Sequence, residues 1–269
     1  MAHFQLNDGA QLSFEVHPNL VPQNTLFIHG NLASNRWWYP ALKVWQNMNK
    51  GKSYSGSLIF GEFRGCGHST PPRTPSDISI KKLAEDYIDL IEGLNLAPVN
   101  VVGHSTGGTI AAMAMSMAPH LFRKAVLLDP VGAEGIKFDE SMTVAFEAMK
   151  TDLNLVAAVM AGTIYQNDAA SPFFKDIVVT DAHSAVKHVG PLILKALDGF
   201  DGREAFKKVG HPVLTLHGEH DNLLPMSDSQ KLSSLFNNGT FEIIPGHGHC
   251  TNVENPEVFV KKVDSFLYA

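Results

Sequence analysis

The sequence has little that would suit a disulfide-stabilised or membrane protein. It contains only two cysteines, Cys66 and Cys250, and two cysteines in a chain of this length do not form a disulfide framework, so we expect two reduced thiols. It has no apolar run of about 18 residues, as a transmembrane helix requires. The first residues, Met1 to Asp8, lack the basic and apolar regions of a secretion signal. We therefore expect a soluble, cytoplasmic protein that does not bind membranes.

Excess positive charge and nucleotide-binding motifs are also missing. The chain has 21 Lys and Arg against 27 Asp and Glu, giving a formal net charge of −6. Without a basic tract, a nucleic-acid partner is not expected. The glycine-rich segment 103–108 is not followed by the lysine of a phosphate-binding loop, and it does not match the dinucleotide fingerprint. Residues of the hydrophobic class make up 44% of the chain, which is enough to form the core of a globular domain.

One segment has a pattern that is typical of catalysis. Residues 103–107 read Gly-His-Ser-Thr-Gly and lie between the apolar run 99–102 and the small-residue stretch 108–118. A Gly-x-Ser-x-Gly sequence between a strand and a helix indicates a sharp turn that lifts the serine hydroxyl into a pocket. In such a turn the amide of the following residue, Thr106, points to the same place. We interpret Ser105 as a nucleophile.

A serine hydroxyl needs a base, and the base needs a carboxylate that orients it. In folds built on this turn, the order along the chain is serine, carboxylate, histidine. Candidates in this order follow two predicted strands: Glu219 and Asp221 after 213–217, and His247 and His249 after 241–244. Asp129, at the end of another predicted strand, is a third candidate acid.

Together with the serine turn, four further motifs resemble those of the α/β-hydrolase superfamily. They occur in the matching order at His29-Gly30-Asn31, Arg64–Ser69, Gly218–Pro225 and Gly248–Pro256. The resemblance implies an α/β fold, namely the α/β-hydrolase fold with a mostly parallel central sheet flanked by helices and an inserted helical cap. It also implies a catalytic triad of Ser105, Asp221 and His249.

The same resemblance favours Asp221 over Asp129 and Glu219, and His249 over His247. It implies that the backbone N–H groups of Asn31 and Thr106 form the oxyanion hole. The chain has 13 histidines, but none has the spacing of a metal site. A serine nucleophile requires neither metal nor cofactor, and we expect none.

The arrangement of predicted elements suggests where the cap begins and ends. Short strands alternate with helices up to about residue 132, beginning with a predicted edge strand at 12–16, and the alternation resumes near residue 200. Between them, residues 133–199 contain only helix-like segments, including one at 182–197. We expect a core formed by 1–132 and 200–269 and a cap formed by 133–199.

These features predict a serine hydrolase that cleaves a small carboxylic ester, including a lactone, through an acyl-enzyme. Two other reactions are compatible with the same triad: hydrolysis of carbon–carbon bonds in ring-fission products, and cofactor-free perhydrolysis. A small-ligand receptor that retains the triad is the non-enzyme alternative, since a fold alone does not determine function. The expected partner is a small-molecule ester, and the sequence indicates no particular oligomeric state.

Overall fold

The computed structural model describes residues 1–269 and contains one eight-stranded sheet with the strand order β1-β2-β4-β3-β5-β6-β7-β8. The strands are β1 (Ala2–Gln5), β2 (Gln11–Val21), β3 (Thr25–Ile28), β4 (Gly56–Gly61), β5 (Val99–His104), β6 (Phe122–Leu128), β7 (Pro212–Gly218) and β8 (Asn238–Ile244). The six strands from β3 to β8 are parallel to one another, whereas β2 pairs antiparallel with both β1 and β4. The prediction of a mostly parallel sheet is confirmed.

The prediction of an edge strand at 12–16 is wrong. These residues belong to β2, and β1 covers its outer side, with Ala2 opposite Phe14 and Gln5 opposite Gln11. β1 has only four residues, which is too short for an alternating pattern to stand out in the sequence.

Eleven α-helices accompany the sheet. They are α1 (Tyr39–Met48), α2 (Ile80–Gly93), α3 (Thr106–Met117), α4 (Glu140–Met149), α5 (Leu153–Thr163), α6 (Thr180–His188), α7 (Gly190–Leu197), α8 (Arg203–Phe206), α9 (Met226–Leu235), α10 (Thr251–Glu254) and α11 (Pro256–Leu267). Buried side chains of α1 and α11 join one apolar cluster, and those of α2 and α3 join another. None of the helices has the length and apolarity needed to cross a bilayer.

The segment 133–199 contains helices and no strand, and it lies between β6 and β7. The single helix predicted at 182–197 is wrong in detail, because α6 ends at His188 and α7 begins at Gly190. Pro191 explains the break: its ring removes an N–H donor and clashes with the carbonyl one turn earlier. A π-helical turn, Phe174–Val179, was not predicted. The division into core and cap stays a prediction.

The sheet topology sets the position of the loops that carry the candidate residues. β3 pairs with β4 on one side and with β5 on the other, so the direction of strand addition reverses between β3 and β5. Loops at the carboxyl ends of parallel strands diverge at such a point and leave a crevice. The loops after β3, β5, β7 and β8 all emerge at this edge of the sheet.

Candidate active site

Ser105 lies on a strained turn between β5 and α3. Its φ and ψ are 53° and −123°, a conformation that non-glycine residues rarely adopt. The turn leaves no space for side chains on either side, because a Cβ at Gly103 would overlap the carbonyl oxygen of Gly107, and a Cβ at Gly107 would overlap that of Ile28. The two glycines of the motif are therefore required by packing.

His249 and Asp221 are joined by a hydrogen bond, with Nδ1 of the histidine donating to Oδ2 of the aspartate at 2.8 Å. The other carboxylate oxygen accepts from the backbone N–H groups of Leu223 and Leu224, at 2.7 and 3.1 Å. Burial by itself would raise the pKa of Asp221, but these hydrogen bonds and the nearby imidazole outweigh it and lower the pKa below its ordinary value. Asp221 is therefore a carboxylate at neutral pH, suited to hold one tautomer of His249.

The two rival acids lie in different environments. Glu219 is exposed and accepts a hydrogen bond from the N–H of Gly246 at 2.8 Å. Asp129 is fully buried and accepts from the N–H of Gly218 at 2.7 Å. Burial, reinforced by the charge of Asp221, raises the pKa of Asp129. Neither carboxylate is hydrogen bonded to His249.

The histidines near this edge also separate into clear roles. His247 is half-buried and donates from Nδ1 to the carbonyl oxygen of Pro245 at 2.7 Å. His104 is buried and donates from Nε2 to the carbonyl oxygen of His249 at 2.9 Å. Burial, together with the neighbouring His249, lowers the pKa of His104 to about 3. A neutral His104 thus supports the backbone of His249. No sequence signal identified this partner, because His104 and His249 are 145 residues apart in the chain.

The loop after β3 approaches the serine turn closely. A Cβ placed on Gly30 would lie 3.0 Å from Cβ of Ser105, so glycine permits this approach. The next residue, Asn31, has a backbone N–H that donates to no other group of the protein. Thr106 is the first residue of α3, where a helix leaves its N–H groups without intrahelical acceptors. Two backbone donors, from Asn31 and Thr106, are thus available beside Ser105.

Ser105, His249, Asn31 and Thr106 all line one cavity of about 660 Å³. No hydrogen bond joins Ser105 to the ring of His249, whose Nδ1 is bonded to Asp221. Such catalytic hydrogen bonds often form only when a substrate is bound. The cavity extends from the serine towards the helices of the segment 133–199, and its volume is within the range typical of small-molecule sites.

A buried polar cluster connects the loop after β3 to α6. Asp181 accepts hydrogen bonds from the hydroxyl of Ser34 at 2.5 Å and from Nε of Arg36 at 3.2 Å. Asn31 adds a second link, since its side-chain amide donates to the carbonyl oxygen of Gly190 at 3.2 Å. No sequence signal predicted these contacts, because about 145 residues separate the partners.

One group of side chains has a spacing that a metal ion could use. Single ligand atoms of Asp129, His217 and Asp221 all lie within 4.8 Å of one another. Three donors are fewer than the four of a structural zinc site, and a cation bound there would compete with His249 for Asp221. Both cysteines, Cys66 and Cys250, are buried and free, as predicted.

Comparison with known proteins agrees with this architecture. A protein of Caulobacter segnis provisionally named carbamate hydrolase RutD is 26% identical over 265 residues, covering 95% of this chain and 96% of the relative. A Haemophilus influenzae protein provisionally named esterase/lipase is 24% identical over 216 residues, covering 78% and 74%. The crystal structure of an enol-lactonase from Burkholderia xenovorans is similar, with a TM-score of 0.83 at 19% identity over the whole of both chains.

A family model described as the alpha/beta hydrolase fold matches residues 26–256. This range begins in β3 and ends at the first residue of α11, so it contains every loop discussed above. The order of strands, the serine turn and the match over most of the chain agree, and the protein belongs to the α/β-hydrolase family.

Proposed function

We propose that the protein is a serine hydrolase that cleaves a small carboxylic ester through an acyl-enzyme formed on Ser105. The main support is the 2.8 Å hydrogen bond between His249 and Asp221, at the edge of a cavity that Ser105 also lines. A nucleophile, a base and an orienting carboxylate on separate loops form the arrangement that activates a serine.

In this proposal, Oγ of Ser105 attacks the carbonyl carbon of the ester while Nε2 of His249 takes the hydroxyl proton. The N–H groups of Asn31 and Thr106 donate hydrogen bonds to the oxygen that becomes negative in the tetrahedral intermediate. His249 then gives its proton to the leaving alcohol, and an acyl-serine ester remains. A water molecule attacks this ester, again with His249 as the base, and the carboxylic acid is released.

Asp221 supports both steps without taking the proton. Its lowered pKa keeps it ionised, so it holds the proton on Nδ1 of His249 and leaves Nε2 free to accept from Ser105. It also stabilises the imidazolium that forms during each attack.

Carbamate hydrolysis is a second candidate, favoured by the name of the Caulobacter segnis relative. It would use the same nucleophile and base, and it differs in the group attached to the carbonyl carbon. The predominantly apolar walls of the cavity give more support to a hydrocarbon acyl or alcohol group than to a small polar carbamate.

The test is steady-state hydrolysis of 4-nitrophenyl esters from acetate to laurate, with 4-nitrophenyl N-methylcarbamate as a parallel substrate. We expect multiple turnover of at least one ester and a loss of about 10⁴-fold or more in Ser105→Ala. Ser265→Ala, an exposed serine on α11, is the matched control and should behave as the unmodified protein does. Turnover of the carbamate alone would favour the second candidate. A single covalent event without turnover would favour a ligand receptor.

A further inference from the structure

Outside the proposed catalytic groups, the side chains that line the cavity beside Ser105 offer few hydrogen-bonding groups to a substrate: Nε1 of Trp37 has no partner, but it is buried. Thr163 donates its hydroxyl to the carbonyl oxygen of Met160 at 2.8 Å. The Asn31 side chain is bonded to the carbonyl oxygen of Gly190. The remaining wall consists mainly of apolar side chains, among them Phe146, Leu194 and Leu197.

Charged side chains line the cavity only at its rim. They are Glu134, Lys137 and Asp228, and all three are exposed or half-exposed. Two of them already have partners, because Glu134 lies 2.9 Å from Arg203 and Asp228 lies 3.6 Å from Lys231. These two partner cations line a different surface cavity. Lys137 has no ion-pair partner, but its side chain is exposed, so no positively charged side chain is buried in the wall of the cavity.

We propose that the cavity selects esters whose acyl group is an uncharged hydrocarbon, and that it rejects esters carrying a carboxylate on that group. This inference deepens the proposed function and rests on it. A carboxylate buried in the cavity would lose its hydration, and Lys137, the one cationic side chain of the lining, is exposed at the rim, so its burial is strongly unfavourable. Each methylene of a neutral chain, in contrast, would contribute favourable binding free energy when it leaves water. The proposal therefore disfavours the dienoic acids on which carbon–carbon hydrolases of ring-fission products act.

The test compares three 4-nitrophenyl esters of similar acyl length: the hexanoate, the mono-ester of adipic acid, and the methyl ester of that adipate. The carboxylate of the mono-ester is the only charge in the set. We expect kcat/KM for the mono-ester to be about 10- to 100-fold below that of both neutral esters, as for one buried charge without a partner. A value within about twofold of the methyl ester, after correction for spontaneous hydrolysis, would overturn the proposal.

A charge-insertion pair tests the physical cause. Met142 lines the cavity from α4 and is 37% exposed, so a long side chain is tolerated there without disturbing the core. Met142→Arg should reduce the ratio of kcat/KM for the methyl ester to kcat/KM for the adipate mono-ester about tenfold, because the guanidinium can pair with the carboxylate. Met142→Gln, of similar size but uncharged, should leave that ratio unchanged. Equal effects of the two substitutions would contradict a role for charge.

Binding to Ser105→Ala separates this inference from the proposed hydrolysis. Weaker binding of the adipate mono-ester than of the hexanoate by this variant would support the cavity preference, even if the unmodified protein hydrolysed neither ester. Equal binding of the two would overturn the preference, even if the protein proved to be an active esterase.

Discussion

The imidazole of His249 and the carboxylate of Asp221 are 2.8 Å apart, although 28 residues separate them in the chain. Their loops leave the adjacent parallel strands β7 and β8 at the same edge. A backbone hydrogen bond from His220 to His247 at 2.8 Å ties the two loops together. Gly218 allows the close approach, since a Cβ there would overlap the carbonyl oxygen of Gly248. The backbone therefore sets the distance between the two side chains before any substrate binds.

Replacing Asp221 by Asn should lower kcat by about 10³- to 10⁴-fold, because an amide can hold the wrong tautomer of the histidine. The thermal midpoint should change little, since the variant has the same shape. Ester hydrolysis and a melting curve measure the two effects. Asp129→Asn and Glu219→Gln are the matched controls, and we expect both to keep most of the activity. A severe loss of kcat in either control, together with a mild loss in Asp221→Asn, would show that the control residue is the acid that orients His249.

His249→Ala should reduce kcat by a similar factor, because no other imidazole is placed to accept the serine proton. His247→Ala should have little effect, since that side chain is bonded to the carbonyl oxygen of Pro245 and not to Asp221. Steady-state hydrolysis of one 4-nitrophenyl ester by both variants measures the difference. A larger loss of activity in His247→Ala than in His249→Ala would show that His247, and not His249, is the base.

Asp181→Asn should lower kcat about tenfold with little change in KM, because the loop that carries Asn31 would lose part of its support. Loss of a complete oxyanion-hole donor lowers kcat by roughly 10²- to 10³-fold, and a displaced loop should have a smaller effect. Glu147→Gln, which removes an exposed ion pair with Lys150, is the control and should leave kcat unchanged. A lower melting temperature with unchanged kcat would show that Asp181 only holds the fold together.

The protein should lose stability as the pH falls from about 6.5 towards 4. Burial lowers the pKa of His29 to about 4 and that of His104 to about 3, from an ordinary value of 6.5. Their stabilising effect is complete above 6.5, and it declines below this pH because the unfolded chain then binds protons that the folded chain does not. Asp129 has a raised pKa, so its contribution to the free energy of unfolding changes with pH in the opposite direction.

Urea unfolding at several pH values measures the effect of a single imidazole. His104→Gln should be less sensitive to acid than the unmodified protein, by about one or more kcal/mol over this range. His120→Gln, at a histidine that is 73% exposed, should keep the original pH dependence. Identical curves for the two variants would contradict the prediction.

Gly103→Ala should destabilise the protein by about 3 kcal/mol or more, because the new methyl group would overlap the backbone of the serine turn. Gly210→Ala is the control: nothing lies within 4 Å of the added Cβ, and its φ is not positive. Chemical denaturation of both variants measures the difference. A stable Gly103→Ala protein would mean that the turn can relax more than its packing suggests.

The sequence could predict those site candidates whose positions depend on neighbouring residues in the chain. The turn at Ser105 needs small neighbours because its backbone is strained and crowded, so glycines appear at fixed offsets. The loops of Asp221 and His249 follow apolar strands, and the carboxyl ends of parallel strands meet at one edge. The hydrogen bond between these two residues agrees with that expectation.

Other features could not be read from the chain. The short strand β1 carries too few residues to show a period. The break between α6 and α7 is different, because Pro191 marks it in the sequence within an otherwise helical pattern. The contact of Asp181 with Ser34 joins residues 147 positions apart. Such contacts depend on how helices pack over the sheet, and this packing leaves no periodic signal in the sequence.

The sequence by itself determined the class of fold, the position of the serine turn and a short set of candidate acids and bases, because strain, apolar periodicity and chain order are local properties. Only the tertiary structure decided which carboxylate meets His249, how the loop of Asn31 is held, and which side chains surround the cavity. Burial and hydrogen bonding between distant segments govern these choices, since they change the pKa of Asp129 and Asp221 in opposite directions.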